Sequence, residues 1–265
     1  MTPRTITFTT DYGLADGFVA ACHGVMATIA PAARVIDITH VVPPGDVRRA
    51  AHVLAQTVSS MPPGSVHLAV IDPGVGTARR ALAVETHSGS LLVGPDNGLL
   101  LLAAAELGGV LVAVSLTNRS WWRAGDISHT FHGRDVFAPV AARLAIGELI
   151  REAGEEVSDL VQLPPPRVVR RPDGGVETEV LTVDHFGNVQ LAARPSDISE
   201  MSVMLVVGKR VYRGRTFADI PPGSGLVLFE DSAGYLAIAV NGGRAADRLH
   251  LRPGHAVTIQ PARPQ

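Results

Sequence analysis

The chain is predicted to be an α/β protein: an amino-terminal domain with a mostly parallel sheet, followed by a smaller carboxy-terminal all-β barrel or sandwich. Three observations lead there. Apolar β-like runs alternate with helix-like runs through the first half of the 265 residues. A charged, proline-rich stretch interrupts the pattern after Glu152. Beyond it the apolar runs are short, separated by turn residues, and carry no strong helical period.

In the first half, residues 5–9, 34–38 and 66–71 are strand-like, and residues 18–29 and 47–59 between them are helix-like. Strands buried on both faces read as continuous apolar runs, and this rhythm is the signature of βαβ layers. Further strands are expected at 81–86, 90–93 and 110–115, with helices at 98–107 and 136–146. The stretch Pro164-Pro165-Pro166, with Arg170-Arg171-Pro172-Asp173-Gly174-Gly175 after it, cannot continue a helix or a central strand. Domain boundaries follow at 1–160 and 176–265, with 161–175 as linker. In the second domain, residues 177–183, 203–207, 226–229 and 256–259 are β-like.

Composition narrows the function classes. Hydrophobic residues make up 46% of the chain, enough for a substantial core. The formal net charge is −2 and Lys209 is the single lysine, which leaves no basic footprint for nucleic acid. No leader-like segment and no bilayer-spanning apolar run is evident, so a cytoplasmic protein without membrane contact is expected. Cys22, the one cysteine, lies in an apolar helix-like segment; it can form neither an intrachain disulfide nor a cysteine zinc site and reads as a core residue.

Chemistry concentrates in turns that follow strand-like runs. Asp72-Pro73-Gly74-Val75-Gly76-Thr77-Ala78-Arg79-Arg80 places a carboxylate and a guanidinium around a glycine turn, where Pro73 fixes one φ and the glycines permit positive ones. A solvated ion pair on a surface turn is the plain alternative. Thr9 to Gly17 and Ser128 to Asp135 have the same character, each leading into a helix, and Gly94-Pro95-Asp96-Asn97-Gly98 opens a fourth apolar run. Asp16 suits a helix N-cap better than Asp11 does. His132 taken singly is a loop histidine, but its place in Thr130-Phe131-His132-Gly133-Arg134-Asp135 sets it apart from the other histidines. No HxxxH or paired metal-ligand helix motif appears, so no metal site is expected.

Together with Asp184-His185-Phe186-Gly187-Asn188 and the late Asn241-Gly242-Gly243 after Gly234-Tyr235-Leu236, these segments resemble the S-adenosyl-L-methionine hydroxide adenosyltransferases, hydrolases related to fluorinase and chlorinase. The resemblance runs from Thr9 to about Leu249. It implies hydrolysis of S-adenosyl-L-methionine to adenosine and L-methionine by in-line attack of water at ribose C5′, with no cofactor. Asp72, Arg79 and His132 would hold and polarise the water, Asp11 the ribose hydroxyls, and Asp184 the methionine ammonium. Phe186 would pack on the adenine and Asn188 read its edge; Ser232 would meet the methionine carboxylate, and Asn241 and Gly242 the adenine. Those residue types suit those groups. The family also implies a homotrimer with pockets at subunit interfaces.

The chain departs from the halogenating branch. Fluorinase and chlorinase have an uncharged aromatic residue at the position of Asp72, and fluorinase has a serine at that of Gly133 and an arginine at that of Ala233. A halide beside Asp72 would meet a like charge, costing about 4 kcal/mol at 4 Å for an effective dielectric near 20. Halide-dependent adenosyl transfer and a non-catalytic module that binds the same ligand are the two other readings.

Overall fold

The computed structural model describes residues 4–198 and 203–262. β1 (Ile6–Thr10) is buried at every position, as a strand covered on both faces must be. It is followed by α1 (Phe18–Ile29), β2 (Val35–Thr39), α2 (Val47–Val58), β3 (Val66–Val70), β4 (Ala81–Thr86), β5 (Leu91–Pro95), α3 (Leu101–Glu106), β6 (Val110–Ser115), α4 (Ala138–Ala145) and β7 (Glu155–Glu156). These strands make one sheet in the order β2-β1-β3-β5-β4-β6-β7. The parallel pairing expected of it holds for β2-β1-β3-β5, and the pairings from β5 through β4 and β6 to β7 are antiparallel. Only residues 87–90 join β4 to β5, too short a link for a parallel crossover.

Alternation along the strands supplies two cores. Val66, Leu68 and Val70 of β3 face α1 and α4 with Phe8, Met26 and Phe137, whereas Ala69 and Ile71 face α2 and α3 with Leu54, Leu92 and Ala103. Cys22 is fully buried in the first of these layers, and burial pushes its thiol up to about 12, as befits a core residue. α2 starts at Asp46, whose side chain accepts from the Arg49 N–H at 3.0 Å. The cap expected from Asp16 is not made: the N-cap of α1 is Gly17, without a side-chain bond, and Asp16 is exposed.

The chain divides into two units, Met1–Leu163 and Pro164–Gln265. The second contains β8 (Val168–Arg170), β9 (Val176–Val183), β10 (Val189–Leu191), β11 (Val203–Val206), β12 (Lys209–Arg213), β13 (Leu226–Glu230), β14 (Leu236–Ala239), α5 (Ala245–Leu249) and β15 (Ala256–Pro261). Pairing of β9 with both β15 and β10 closes seven strands into a barrel, in the order β9-β10-β14-β13-β12-β11-β15. β8 lies outside it, antiparallel to β9 at the edge. The stretch expected to be pure linker thus contributes an edge strand, a place compatible with its proline-rich flanks. Among the described residues no helix is long and apolar enough to cross a membrane.

Candidate active site

Asp72 follows the buried Ile71 at the end of β3, where open α/β sheets present ligand-binding loops. Its turn is tied by the Val75 N–H to the Asp72 carbonyl at 3.1 Å and by the Thr77 hydroxyl to the Gly74 carbonyl at 2.7 Å. Gly76 has φ +77°, and a Cβ there would stand 2.6 Å from the His129 carbonyl oxygen, so the turn packs directly on the 128–135 loop. Arg79 returns across it. Its Nε donates to Asp72 Oδ1 at 2.8 Å and Oδ2 at 3.0 Å, its Nη2 donates to Oδ2, and its guanidinium lies 5.1 Å from the Phe137 ring centroid. The side chains of Asp72 and Arg79 are 6% and 12% exposed, so this is no solvated surface pair.

Arg79 Nη2 also lies 2.8 Å from His132 Nδ1. A guanidinium only donates, so Nδ1 accepts and the neutral ring carries its proton on Nε2. Burial, and then the Arg79 charge, hold the imidazole below its usual range, against the opposing pull of Asp72 and Asp135. His132 stands at the start of a π-helical turn, Gly133–Phe137, that runs into α4. Its anchor is the fully buried Asp135, which accepts from Arg134 Nε and Nη2 at 2.7 and 2.9 Å and from the Ser128 N–H at 2.9 Å. Burial alone would raise the Asp135 carboxyl, but these bonds and the Arg134 and Arg123 charges hold it low. The Gly94 to Gly98 segment supports the other side: Asn97 Nδ2 donates to the Ile71 carbonyl at 2.9 Å, one residue before Asp72.

A pocket of about 160 Å³ is lined by Asp11, Tyr12, Gly45, Val70, Asp72, Pro73, Val75, Thr130, His132 and Gly133. Asp11 is held by the Gly45 N–H, which donates to Oδ2 at 2.8 Å. The structure therefore brings together all four site residues that the sequence placed in this unit, with Arg79 as the bridge behind the wall. A larger cleft of about 660 Å³ beside α1 is lined by Val25, Ile29, Trp122 and Ile127 with Arg119, Arg123 and Arg143; it offers no carboxylate to a reacting group.

Tyr12 and Thr130 are wall residues that sequence reasoning did not single out. Burial keeps the Tyr12 phenol well above its ordinary range, so it remains a donor. Tyr12 also decides what can stand at position 133, because a Cβ on Gly133 would lie 2.0 Å from its hydroxyl oxygen. The tyrosine in Asp11-Tyr12-Gly13 was visible in sequence, but its closeness to Gly133 is a tertiary fact.

In the second unit, Asp184 and Asn188 close the β9–β10 turn on each other: the Asn188 N–H and Nδ2 donate to the two Asp184 oxygens, both at 2.8 Å. Phe186 at the tip is 72% exposed, so it is no part of the barrel core. Asn241 follows β14 and its Nδ2 donates to the Ile220 carbonyl at 2.8 Å, with Gly242 next to it at φ +72°. The β10–β14 register sets Val189 opposite Ile238, so the 184–188 turn and Asn241-Gly242 share one end of β14. Ser232 is exposed in the β13–β14 turn at the other end.

Comparison with known proteins agrees with this layout. Residues 6–154 match the SAM hydroxide adenosyltransferase N-terminal domain and residues 178–258 the C-terminal domain. The chain is 62% identical over 257 residues to the (R)-S-adenosyl-L-methionine hydrolase of Salinispora arenicola, spanning 96% of this chain and 97% of that one. It is 40% identical over 269 residues to the (R)-S-adenosyl-L-methionine hydrolase of Thermus thermophilus, spanning 97% and 99%. Relatives named fluorinase stand further off, at 26–30% identity. A crystal structure of an uncharacterized conserved protein from Thermotoga maritima superposes with a TM-score of 0.91 at 36% identity, covering 97% of this chain and all of that one. With both domains matched in order and a pocket that carries the expected turns, the chain belongs to the SAM hydroxide adenosyltransferase family.

Proposed function

We propose that this protein hydrolyses S-adenosyl-L-methionine to adenosine and L-methionine by in-line attack of water at ribose C5′. The observation that carries the reading is the chain of contacts from Asp72 through Arg79 to His132 on the pocket that Asp11 also lines. The sulfonium is already a good leaving group, so the protein needs to position and polarise a water. Placement alone can supply about 7–11 kcal/mol when the geometry is good. With the His132 proton on Nε2, the ring is a donor on its free side. Asp72 is the member of the trio left to accept from water, through Oδ1, which takes one bond from Arg79 and keeps a lone pair, whereas Oδ2 takes two. Arg79 holds that carboxylate in place through its Nε and Nη2. Asp11 would take the ribose hydroxyls, and Asp184, Phe186, Asn188, Ser232, Asn241 and Gly242 the methionine and adenine ends. No metal or other cofactor enters this reaction.

A pocket of about 160 Å³ is small beside the roughly 300–1,000 Å³ usual for small-molecule sites. More wall is needed to enclose a nucleoside. In the homotrimer that the family resemblance implies, a neighbouring copy would complete each pocket; light scattering should give three times the 27.8 kDa chain mass.

Incubation with S-adenosyl-L-methionine, followed by chromatography, should yield adenosine and methionine in equal amounts. Asp72→Asn should lower kcat/KM by about 10²-fold or more, the scale of losing a polarising group. No adenosine above the variant's level, with ligand binding retained, would make the protein a binding module instead. Chloride should not divert the product to a 5′-chloronucleoside. The names of the hydrolase relatives specify the (R) sulfonium, so substrate enriched in that epimer should turn over faster than the (S) form.

A further inference from the structure

We propose that His23, Asp37 and His40 form a binding site for a divalent transition-metal ion of the zinc type, separate from the reacting centre. The three residues come from different elements: His23 from α1, Asp37 from β2, and His40 from the residue after β2. One ligand atom from each lies within 4.8 Å of the other two. Asp37 Oδ1 is the hub, 2.9 Å from His23 Nε2 and 3.1 Å from His40 Nε2.

A hydrogen-bonded cluster would explain His23 but leaves His40 unaccounted for. The His40 side chain is 3% exposed, and its Nε2 is buried yet makes no hydrogen bond, although Asp37 Oδ1 is only 3.1 Å away. The carboxylate is near this nitrogen but out of line with it. A buried ring nitrogen directed at a shared space without a hydrogen-bond partner is what a metal ligand presents. The other ring nitrogen is already committed: His40 Nδ1 lies 2.9 Å from Thr10 Oγ1. With an ion on Nε2, Nδ1 carries the proton and donates to that hydroxyl, the outer-shell bond that fixes a ligating imidazole. Edge contacts with Phe8, at 5.8 Å to His23 and 4.9 Å to His40 between ring centroids, hold both ring planes.

The donor set selects the class of ion. Two imidazoles and one carboxylate suit zinc, cobalt or nickel, whereas calcium and magnesium prefer oxygen alone. Tetrahedral ligands about 2.1 Å from zinc stand about 3.4 Å from each other, so the site must open by a few tenths of an ångström. The partly exposed His23 and Asp37, at 33% and 44%, can move and leave room for a water ligand. Sequence inspection misses the site because only Asp37 and His40 are close along the chain. Its place in the molecule gives it a structural use: Thr10 Oγ1 accepts from the Tyr12 N–H at 3.2 Å, and the Gly13 N–H donates to the His40 carbonyl at 2.7 Å. An ion here would stiffen the loop that carries Asp11 and Tyr12.

Calorimetric titration of the chelated full-length protein with zinc chloride, and visible absorption with cobalt chloride, test this without reference to turnover. One zinc ion should bind per chain, and cobalt should give the intense visible bands of a four-coordinate site. His23→Gln and Asp37→Asn, both at partly exposed positions, should each weaken zinc binding at least about tenfold while circular dichroism shows the fold intact. Absence of stoichiometric binding, or binding that either variant leaves unchanged, overturns the proposal. Hydrolysis by the chelated protein is a separate measurement, so the two readings stand or fall independently.

Discussion

At the scale of single residues, the pocket is defined by what its smallest member excludes. Gly133 faces the Tyr12 hydroxyl so closely that a methyl group would stand 2.0 Å from that oxygen and 3.0 Å from the ring carbon bearing it. Tyr12 cannot swing away freely, because its ring packs against those of Phe18 and Phe131. Gly133→Ala should therefore cost about 1–3 kcal/mol of stability by overpacking. Adding Tyr12→Phe, which deletes the clashing oxygen, should recover part of it. A double variant no more stable in denaturant titrations than the single one would show that the strain is taken up elsewhere. The acid side of the activity profile tests His132. Burial and Arg79 disfavour the imidazolium, so the ring stays neutral to below the usual pH of about 6.5. If the neutral form is the working one, kcat/KM falls on acidification only below that value; an acid limb at or above it would exclude this role. Sequence made Asp72 and Arg79 legible because glycine and proline mark their turn and the charges beside it stand out; His132 was legible only through the family resemblance of its Thr130 to Asp135 segment. The 133–12 contact and the His23, Asp37 and His40 cluster join positions that no local pattern connects.

At the scale of elements, long apolar segments were read well and short strands were not. The span 18–29 matches α1 at both ends, and β1, β2 and β3 lie within a residue of the expected runs. β10, β12 and β14 and helix α5 were not anticipated. In β12, the sequence Lys-Arg-Val-Tyr-Arg buries only Val211, and pairing with β11 and β13 holds it in the barrel. β14 is apolar throughout and only four residues long, a pattern that does not distinguish strand from helix. The widened turn before α4 escaped for a similar reason, since nothing in Gly133–Phe137 advertises π-helical spacing before Asp135 is seen in its buried network. β3 carries a pH signature of its own. His67 is 1% exposed within it, its Nδ1 is 2.9 Å from Thr7 Oγ1, and burial lowers its pKa to about 4. Between that value and the ordinary 6.5 the unfolded chain binds a proton that the folded one refuses. Its contribution is thus present above pH 6.5 and lost as pH falls toward 4, on the order of 3 kcal/mol over the window. Thermal midpoints measured across that range should drop in the wild type and drop less in His67→Gln. Equal slopes would assign the acid loss to other groups.

At the scale of the whole molecule, the division at Leu163 and Pro164 sets the barrel's core apart from the two cores of the first unit. The second unit buries Val176, Val189, Leu191, Val211, Leu228, Ile238, Val257 and Ile259 almost completely. Closure of its seven strands leaves no open edge in the barrel, and β8 is the short strand exposed at its side. An isolated sheet with free edges invites association, and closure removes that liability. Among the described residues of this unit, the exposed large apolar side chains are scattered: Val168 and Val169 on β8, Phe186 and Val207 at turns, Tyr212 on β12, and Phe217. A fragment comprising Pro164–Gln265 should therefore fold alone, giving a soluble protein with β-type circular dichroism and one cooperative thermal transition. The same fragment should form no adenosine, since Asp72, Arg79, His132 and Asp11 all lie in the other unit. Adding it to an Asp72→Asn full-length chain should likewise restore nothing. A fragment that stays unfolded would mean that its core, though buried, depends on the first unit. Turnover by the fragment would place the water-activating groups in the barrel and remove the basis for the proposed chemistry.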